Sequence, residues 1–116
     1  MVPAALQNRL RADLTAALRQ RDTAAVAALR TALAAIANAE AVPADDTPVL
    51  GVNGYADVAR RNLTIERVVQ ILQAEAQDRL TAIAEYEQLG QHDQAQRLRN
   101  ELAVLNRYLS DPVVPD

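Results

Sequence analysis

The 116-residue sequence lacks cysteine, lysine, phenylalanine and tryptophan, and it contains a single histidine and a single serine. Without cysteine there are no disulfides and no thiolate metal sites. Nucleophile–base pairs of the Ser–His or Cys–His kind need residue types that this composition barely supplies. The one histidine, His92, precedes Asp93 without the spacing of a metal-ligand set. We therefore expect no catalytic residues, no metal and no cofactor.

Targeting signals and a strong charge bias are also missing. The start of the sequence has no basic region followed by an apolar run, as a secretory signal would have. We expect charged residues to interrupt each apolar stretch before it reaches membrane-spanning length. A net charge of −3 argues against a general nucleic-acid binder held mainly by phosphate attraction. These features predict a cytoplasmic protein without membrane contact.

What is present favours helices. Half of the residues are hydrophobic, which is enough for a packed core. The sequence is rich in alanine and leucine, which are strong helix formers. The β-branched and aromatic residues that favour strands are sparse. The composition predicts an all-α fold.

Apolar residues recur with helical spacing in four stretches, which predict about four helices in two antiparallel hairpins. The first runs from about Ala4 to Gln20. The second follows an N-cap at Asp22 or Thr23 and ends near Glu40. The third begins after Thr64 as N-cap and stops at Gly90, and the fourth begins near His92–Asp93 and ends before Asp111–Pro112. The predicted core stripes are Leu6, Leu10, Leu14, Ala17 and Leu18; Val26, Leu29, Leu33 and Ile36; Ile65, Val68, Val69, Leu72, Ala76, Leu80, Ile83 and Tyr86; and Ala95, Leu98, Leu102, Leu105 and Leu109.

The periodicity stops between residues 41 and 62, where proline, glycine, aspartate and asparagine predict a long central loop. Residues 1–112 are accordingly predicted to form one helical bundle domain, and residues 113–116 a disordered tail.

Three stretches in this order and spacing resemble the YqeY-like family, which is related to the C-terminal region of the GatB subunit of tRNA-dependent amidotransferases. They are residues 10–22 (LRADLTAALRQRD), 63–68 (LTIERV) and 85–95 (EYEQLGQHDQA). The sequence departs from the family's usual pattern in its longer linker between the two hairpins. Family members also usually continue into a small C-terminal helical domain, the part most associated with tRNA contact in the amidotransferase relatives.

The resemblance implies a helical N-terminal domain and an accessory role near tRNA or amidotransferase-related machinery. The family is associated with carbon–nitrogen ligase activity with glutamine as amido-N-donor, but the residues of this chain predict no activity of its own. We interpret the sequence as a non-catalytic helical binding module with tRNA as a candidate partner. The alternative is a protein–protein interaction or oligomerisation module, including a homodimer, with no RNA role.

Glu75 and Arg79 are four residues apart in the favourable acidic-then-basic order on a helix, and Arg30 is predicted to approach them. This pattern predicts an Arg-lined site for a phosphate or a partner carboxylate, or else an ion-pair cluster that sets helix register. The candidate binding residues are Arg30, Glu75, Arg79 and Tyr86, with Arg60 and Arg61 in the central loop.

Overall fold

The computed structural model describes residues 3–41 and 63–110, which form four α-helices. They are α1 (Pro3–Gln20), α2 (Thr23–Ala41), α3 (Ile65–Gln88) and α4 (His92–Leu109). Helix α1 packs on α2, α3 packs on α4, and α2 also contacts both α3 and α4. The predicted all-α bundle is confirmed. The central segment and the 113–116 tail lie outside the described residues, and the single-domain boundary stays a prediction.

The starts of α2 and α3 are fixed by side-chain caps. Asp22, one of the two candidates, accepts a hydrogen bond from the Ala25 amide through Oδ1 at 3.1 Å. Thr64 accepts one from the Arg67 amide through Oγ1 at 3.1 Å. Each cap satisfies an amide that the first turn of a helix leaves without a partner.

The end of α3 is set by Gly90, which has a φ of +73°. The Gln91 amide donates to the Tyr86 carbonyl at 2.9 Å and the Gly90 amide to the Glu87 carbonyl at 3.1 Å. This pair of bonds is a Schellman motif, which requires a left-handed residue that glycine adopts without Cβ strain. Three residues separate the end of α3 at Gln88 from the start of α4 at His92.

Helix α2 occupies the centre of the bundle, and alanine makes this possible. Its buried residues are Ala25, Ala28, Leu29, Ala32 and Ile36. Small side chains let neighbouring backbones approach closely, so one helix can contact three others. The core is completed by leucines, isoleucines and valines, with Tyr108 as its aromatic member.

Two predicted core positions are wrong: Leu18 is 47% exposed and Leu80 is 49% exposed. A spacing of four residues overshoots a helical turn by about 40°, so the third step from Leu6 places Leu18 about 120° off the starting face. On α3 the buried residue at this level of the helix is Arg79 and not the neighbouring Leu80. Arg79 lies seven residues after Leu72 and therefore within about 20° of the same face.

Helix α4 buries a broader surface than its leucine stripe predicts. Val104 and Tyr108 are in the core, although Tyr108 was not predicted there and Val104 lies off the predicted stripe. Tyr108 donates a hydrogen bond to Asp13 of α1, whereas Leu98 lies beside Tyr86 of α3. Because α4 packs against elements on two sides, one stripe does not describe its buried face.

Helix α2 is long and apolar enough, by length and composition alone, to cross a membrane. Arg30 and Glu40 interrupt its apolar stretch, as the sequence predicts, but two charged residues are few enough for the helix to meet this criterion. Central helices of globular bundles meet the same criterion. Here the buried face of α2 forms part of the hydrophobic core.

The distinction between Leu72 and Leu80 can be tested by unfolding. Leu72→Ala should lower the free energy of unfolding by about 2–5 kcal/mol, because it leaves a cavity at a fully enclosed site. Leu80→Ala should cost less than about 1 kcal/mol, because that side chain is half exposed. Urea denaturation followed by circular dichroism measures both. Equal losses for the two variants would contradict the assignment of the α3 core face.

Candidate functional site

A buried arginine, Arg79, joins three helices near the middle of the bundle. It is 7% exposed, and contacts involve all three of its guanidinium nitrogens. Its Nε donates to Glu101 Oε1 of α4 at 3.1 Å, and its Nη1 donates to Glu75 Oε1 at 3.1 Å. Its Nη2 donates to Thr31 Oγ1 of α2 at 2.7 Å. We call these four residues the Arg79 cluster.

The polar groups of the Arg79 cluster find their hydrogen-bond partners within the protein. Thr31 accepts from Arg79 while its own hydroxyl lies 3.0 Å from the Ala28 carbonyl, to which it can donate. Among the described residues, no buried side-chain nitrogen or oxygen lacks a hydrogen-bond partner. A guanidinium held by two carboxylates and a hydroxyl fixes the positions of α2, α3 and α4 relative to one another. Arg79 is therefore a buried residue that links three helices, and its guanidinium is not exposed to solvent.

The structure brings together only part of the predicted site. Glu75 joins Arg79 as predicted, but Arg30 is exposed and takes no part in the contacts of Arg79. Tyr86 is half-buried and lines a separate open groove between α3 and α4. Arg60 and Arg61 lie outside the described residues. Glu101 and Thr31, the other two partners, were not predicted because they lie far from Arg79 along the chain.

A second polar feature lies where α1, α2 and α4 meet. A cavity of about 220 Å³ opens there above a floor formed by alanines and Leu29. We call it the Tyr108 pocket. Its polar lining consists of Arg9, Asp13, Gln20, Asp22, Arg107 and Tyr108.

Tyr108 ties α4 to α1 inside this pocket. Its hydroxyl donates to Asp13 Oδ2 at 2.5 Å, and the guanidinium of Arg9 lies 4.9 Å from the centre of its ring. Burial, followed by the hydrogen bond to the Asp13 carboxylate, raises the pKa of Tyr108 well above its ordinary value. The phenol therefore stays protonated and remains a donor to Asp13.

The end of the α3–α4 hairpin carries an exposed ionic group. Glu87 contacts His92 Nδ1 at 2.8 Å and Arg99 Nη2 at 3.0 Å. Hydrogen bonds first from His92 and then from Arg99 lower the pKa of Glu87. Solvent screens such pairs strongly, so they orient side chains more than they stabilise the fold. Beside them Leu89 is 69% exposed.

Three further arginines surround the turn between α1 and α2. Arg19 is in the last turn of α1, Arg21 is in the turn itself with a φ of +58°, and Arg97 lines a groove with Thr23 and Ala24. We call Arg19, Arg21 and Arg97 the turn surface. All three side chains are exposed, and none makes a hydrogen bond or ion pair with another described residue.

The charged groups at these sites are arginines and carboxylates, which form ion pairs and charge-assisted hydrogen bonds. Within residues 3–41 and 63–110 there is no group of three or more histidine, aspartate or glutamate side chains placed to hold a metal ion. The forked donors of arginine suit carboxylates and phosphates, and the turn surface presents several of them to solvent.

The fold and these polar sites define an all-helical bundle protein with surface arginines. A protein-family model described as "Yqey-like protein" matches residues 7–116. The chain belongs to the YqeY-like family, as its sequence resemblance predicted. Comparisons with curated proteins and with solved structures found no significant match.

The role of the Arg79 cluster can be tested with a matched pair of arginine substitutions. Arg79→Ala should lower the free energy of unfolding by about 3 kcal/mol, because it leaves Glu75 and Glu101 half-buried without their partner. Arg30→Ala removes the same charge from an exposed position and should change stability by less than about 0.5 kcal/mol. Chemical denaturation measures both. An Arg79→Ala protein as stable as the wild type would contradict a structural role.

The raised pKa of Tyr108 predicts a loss of stability in alkaline solution. Below the ordinary tyrosine pKa of about 10, both folded and unfolded states keep the phenol protonated and the full stability is present. Above it the unfolded state releases the proton while the folded state retains it, so stability falls as pH rises. The melting temperature should therefore decrease above about pH 10, and the decrease should be smaller in Tyr108→Phe. If the melting temperature of Tyr108→Phe decreased equally at alkaline pH, the loss of stability would come from groups other than Tyr108.

Proposed function

We propose that this chain is a non-catalytic helical binding module that contacts RNA, with tRNA as the candidate, as an accessory to translation-related machinery. The turn surface is the observation that carries the proposal. It places three exposed arginines, without partners among the described residues, around one end of the bundle. Membership of the YqeY-like family supports the tRNA-related role.

The charge distribution between helices supports this choice of surface. Helix α1 carries three arginines and one aspartate, whereas α3 carries five acidic residues and two arginines. One of those two, Arg79, is buried among carboxylates. A polyanion therefore meets a favourable potential on the side of α1 and the turn, even though the net charge of the chain is slightly negative.

Side chains at the turn surface also suit phosphate contacts. Arg97 shares its groove with Asn100, Thr23 and Glu101. Asn100 and Thr23 offer amide and hydroxyl groups, and the carboxylate of Glu101 is paired with Arg79. Contacts of this kind position a nucleic-acid backbone without reading its sequence. Any preference for tRNA would then come from its shape.

The alternative function is self-association, and it is favoured by the end of the α3–α4 hairpin. Leu89 is exposed there, Leu80 is exposed about two turns earlier on α3, and Ile83 and Tyr86 between them are only half-buried. A symmetric dimer is the commonest assembly that covers such side chains. Association of this kind depends on apolar area and weakens little with salt, whereas phosphate contacts weaken steeply.

The first experiment is a titration of the chain against labelled tRNA at low and moderate salt, with a duplex RNA of similar size as competitor. The double variant Arg19→Gln/Arg97→Gln should weaken binding and reduce the magnitude of the salt slope by up to about 2, because each lost phosphate contact contributes about 0.7–0.9. The control is Arg67→Gln, which removes one positive charge from an exposed position on α3, away from the turn surface. This variant should bind like the wild type.

Two results would reject the RNA proposal. One is the absence of tRNA binding by the wild type at low salt. The other is an equal loss of affinity in the control, which would point to overall charge and not to the turn surface. Sedimentation of the same samples distinguishes the alternative, since a salt-insensitive dimer without RNA binding favours self-association.

A further inference from the structure

The Tyr108 pocket presents both signs of charge around one small cavity. Two guanidinium groups, Arg9 and Arg107, and two carboxylates, Asp13 and Asp22, line it together with the Gln20 amide. The floor is apolar. A lining with balanced charges attracts a ligand that itself carries both charges more than it attracts a simple anion or cation.

Several of these polar groups are only partly used by the protein. Within the described residues, the contacts of Asp13 run through Oδ2, and Asp22 uses Oδ1 to cap α2. The other oxygen of each carboxylate is available to accept from a ligand. Arg107 is exposed, and its side chain makes no hydrogen bond or ion pair with another described residue.

We propose that the Tyr108 pocket binds a small zwitterion of the α-amino-acid class. The forked donors of Arg107 hold the ligand carboxylate, and the remaining oxygens of Asp13 and Asp22 accept from its ammonium group. The side chain of the ligand lies over the apolar floor. Tyr108, protonated and bonded to Asp13, keeps that carboxylate in place.

The size of the pocket agrees with such a ligand. A cavity of 220 Å³ is large enough to hold a small amino acid. A nucleotide or a peptide would extend beyond it. Inorganic phosphate would meet Asp13 and Asp22 as like charges, which disfavours a lone anion.

This inference is independent of RNA binding, because the turn surface and the ligand-holding groups of the Tyr108 pocket are different side chains. The chain can bind an amino acid and not RNA, or the reverse. Each proposal therefore has its own test.

The test is a titration of the isotope-labelled chain with alanine, followed by amide chemical shifts in NMR spectra. Alanine up to roughly 50 mM should shift the amide signals of Ala17, Ala25 and Leu29 in a saturable way, because so small a ligand has at most weak affinity. N-acetylalanine lacks the ammonium group and alanine amide lacks the carboxylate. Each should bind at least about tenfold more weakly, since each loses one charge-assisted contact.

Two variants test whether the ligand binds in this pocket, and neither should disturb the fold. Asp22→Asn retains an N-cap for α2 while it removes the charge, and Arg107→Gln removes the forked donor from an exposed position. Both should weaken alanine binding by about tenfold. Arg67→Gln on α3 is the control and should bind as the wild type does.

Four results would overturn the proposal. Three of them are the absence of saturable shifts in the wild type, blocked alanines that bind as well as alanine, and unchanged alanine binding in both pocket variants. Inorganic phosphate binding as tightly as alanine would also overturn it, because the site would then be selective for anions alone. The blocked ligands are tested on the wild-type chain, so this comparison does not depend on any variant folding.

Discussion

The fold depends on one helix that must contact three others. Helix α2 packs against α1, α3 and α4, which is possible because Ala25, Ala28 and Ala32 form much of its buried face. A larger side chain at these positions would push a neighbouring helix outward, since packed interiors hold little empty space. With no phenylalanine or tryptophan to fill wide gaps, close approach of the helices is the way this chain reaches a dense core.

Close packing on α2 explains why a charged residue is tolerated in the interior. Arg79 reaches across from α3 to α4 and α2, and its polar groups find Glu101 and Thr31 within hydrogen-bond distance. A buried cation is costly unless it is paired and hydrogen-bonded, and here both conditions are met. The arrangement favours this register of the helices, because a shift of one helix would leave charges unpaired. All three guanidinium nitrogens of Arg79 have a partner within the protein in this arrangement.

Much of the fold could be predicted from sequence because local rules decide it. Thr64, Asp22 and Gly90 act within their own turns, and the helix boundaries follow from them. Burial was predicted less well, since it depends on which helices lie on either side. Leu80 and Arg79 are adjacent on α3, and only the position of α2 and α4 determines that the arginine is the enclosed one.

The candidate sites were harder to predict for the same reason. Glu75 and Arg79 form a local pair that sequence spacing reveals, but Thr31 and Glu101 join them from other helices. Tyr108 and Asp13 lie 95 residues apart, and no periodicity within α1 or α4 indicates that they meet. A single sequence contains no signal for such pairs beyond the residue types themselves. Contacts between distant segments become visible only when the packing of the hairpins is known.

The polar side chains of this bundle divide into those that hold it together and those left at its surface. Arg79 is enclosed, whereas Arg19, Arg21 and Arg97 are exposed around the first turn, although all four residues have the same chemistry. The difference is set by carboxylates: the Arg79 cluster supplies two, while the turn surface makes no ion pair within the described residues. Arginines that remain without such partners keep their donors for solvent or for another molecule. The arginines whose side chains have no partner within the described residues therefore lie at the end of the bundle where α1 meets α2, whereas the paired arginine lies at the junction of α2, α3 and α4.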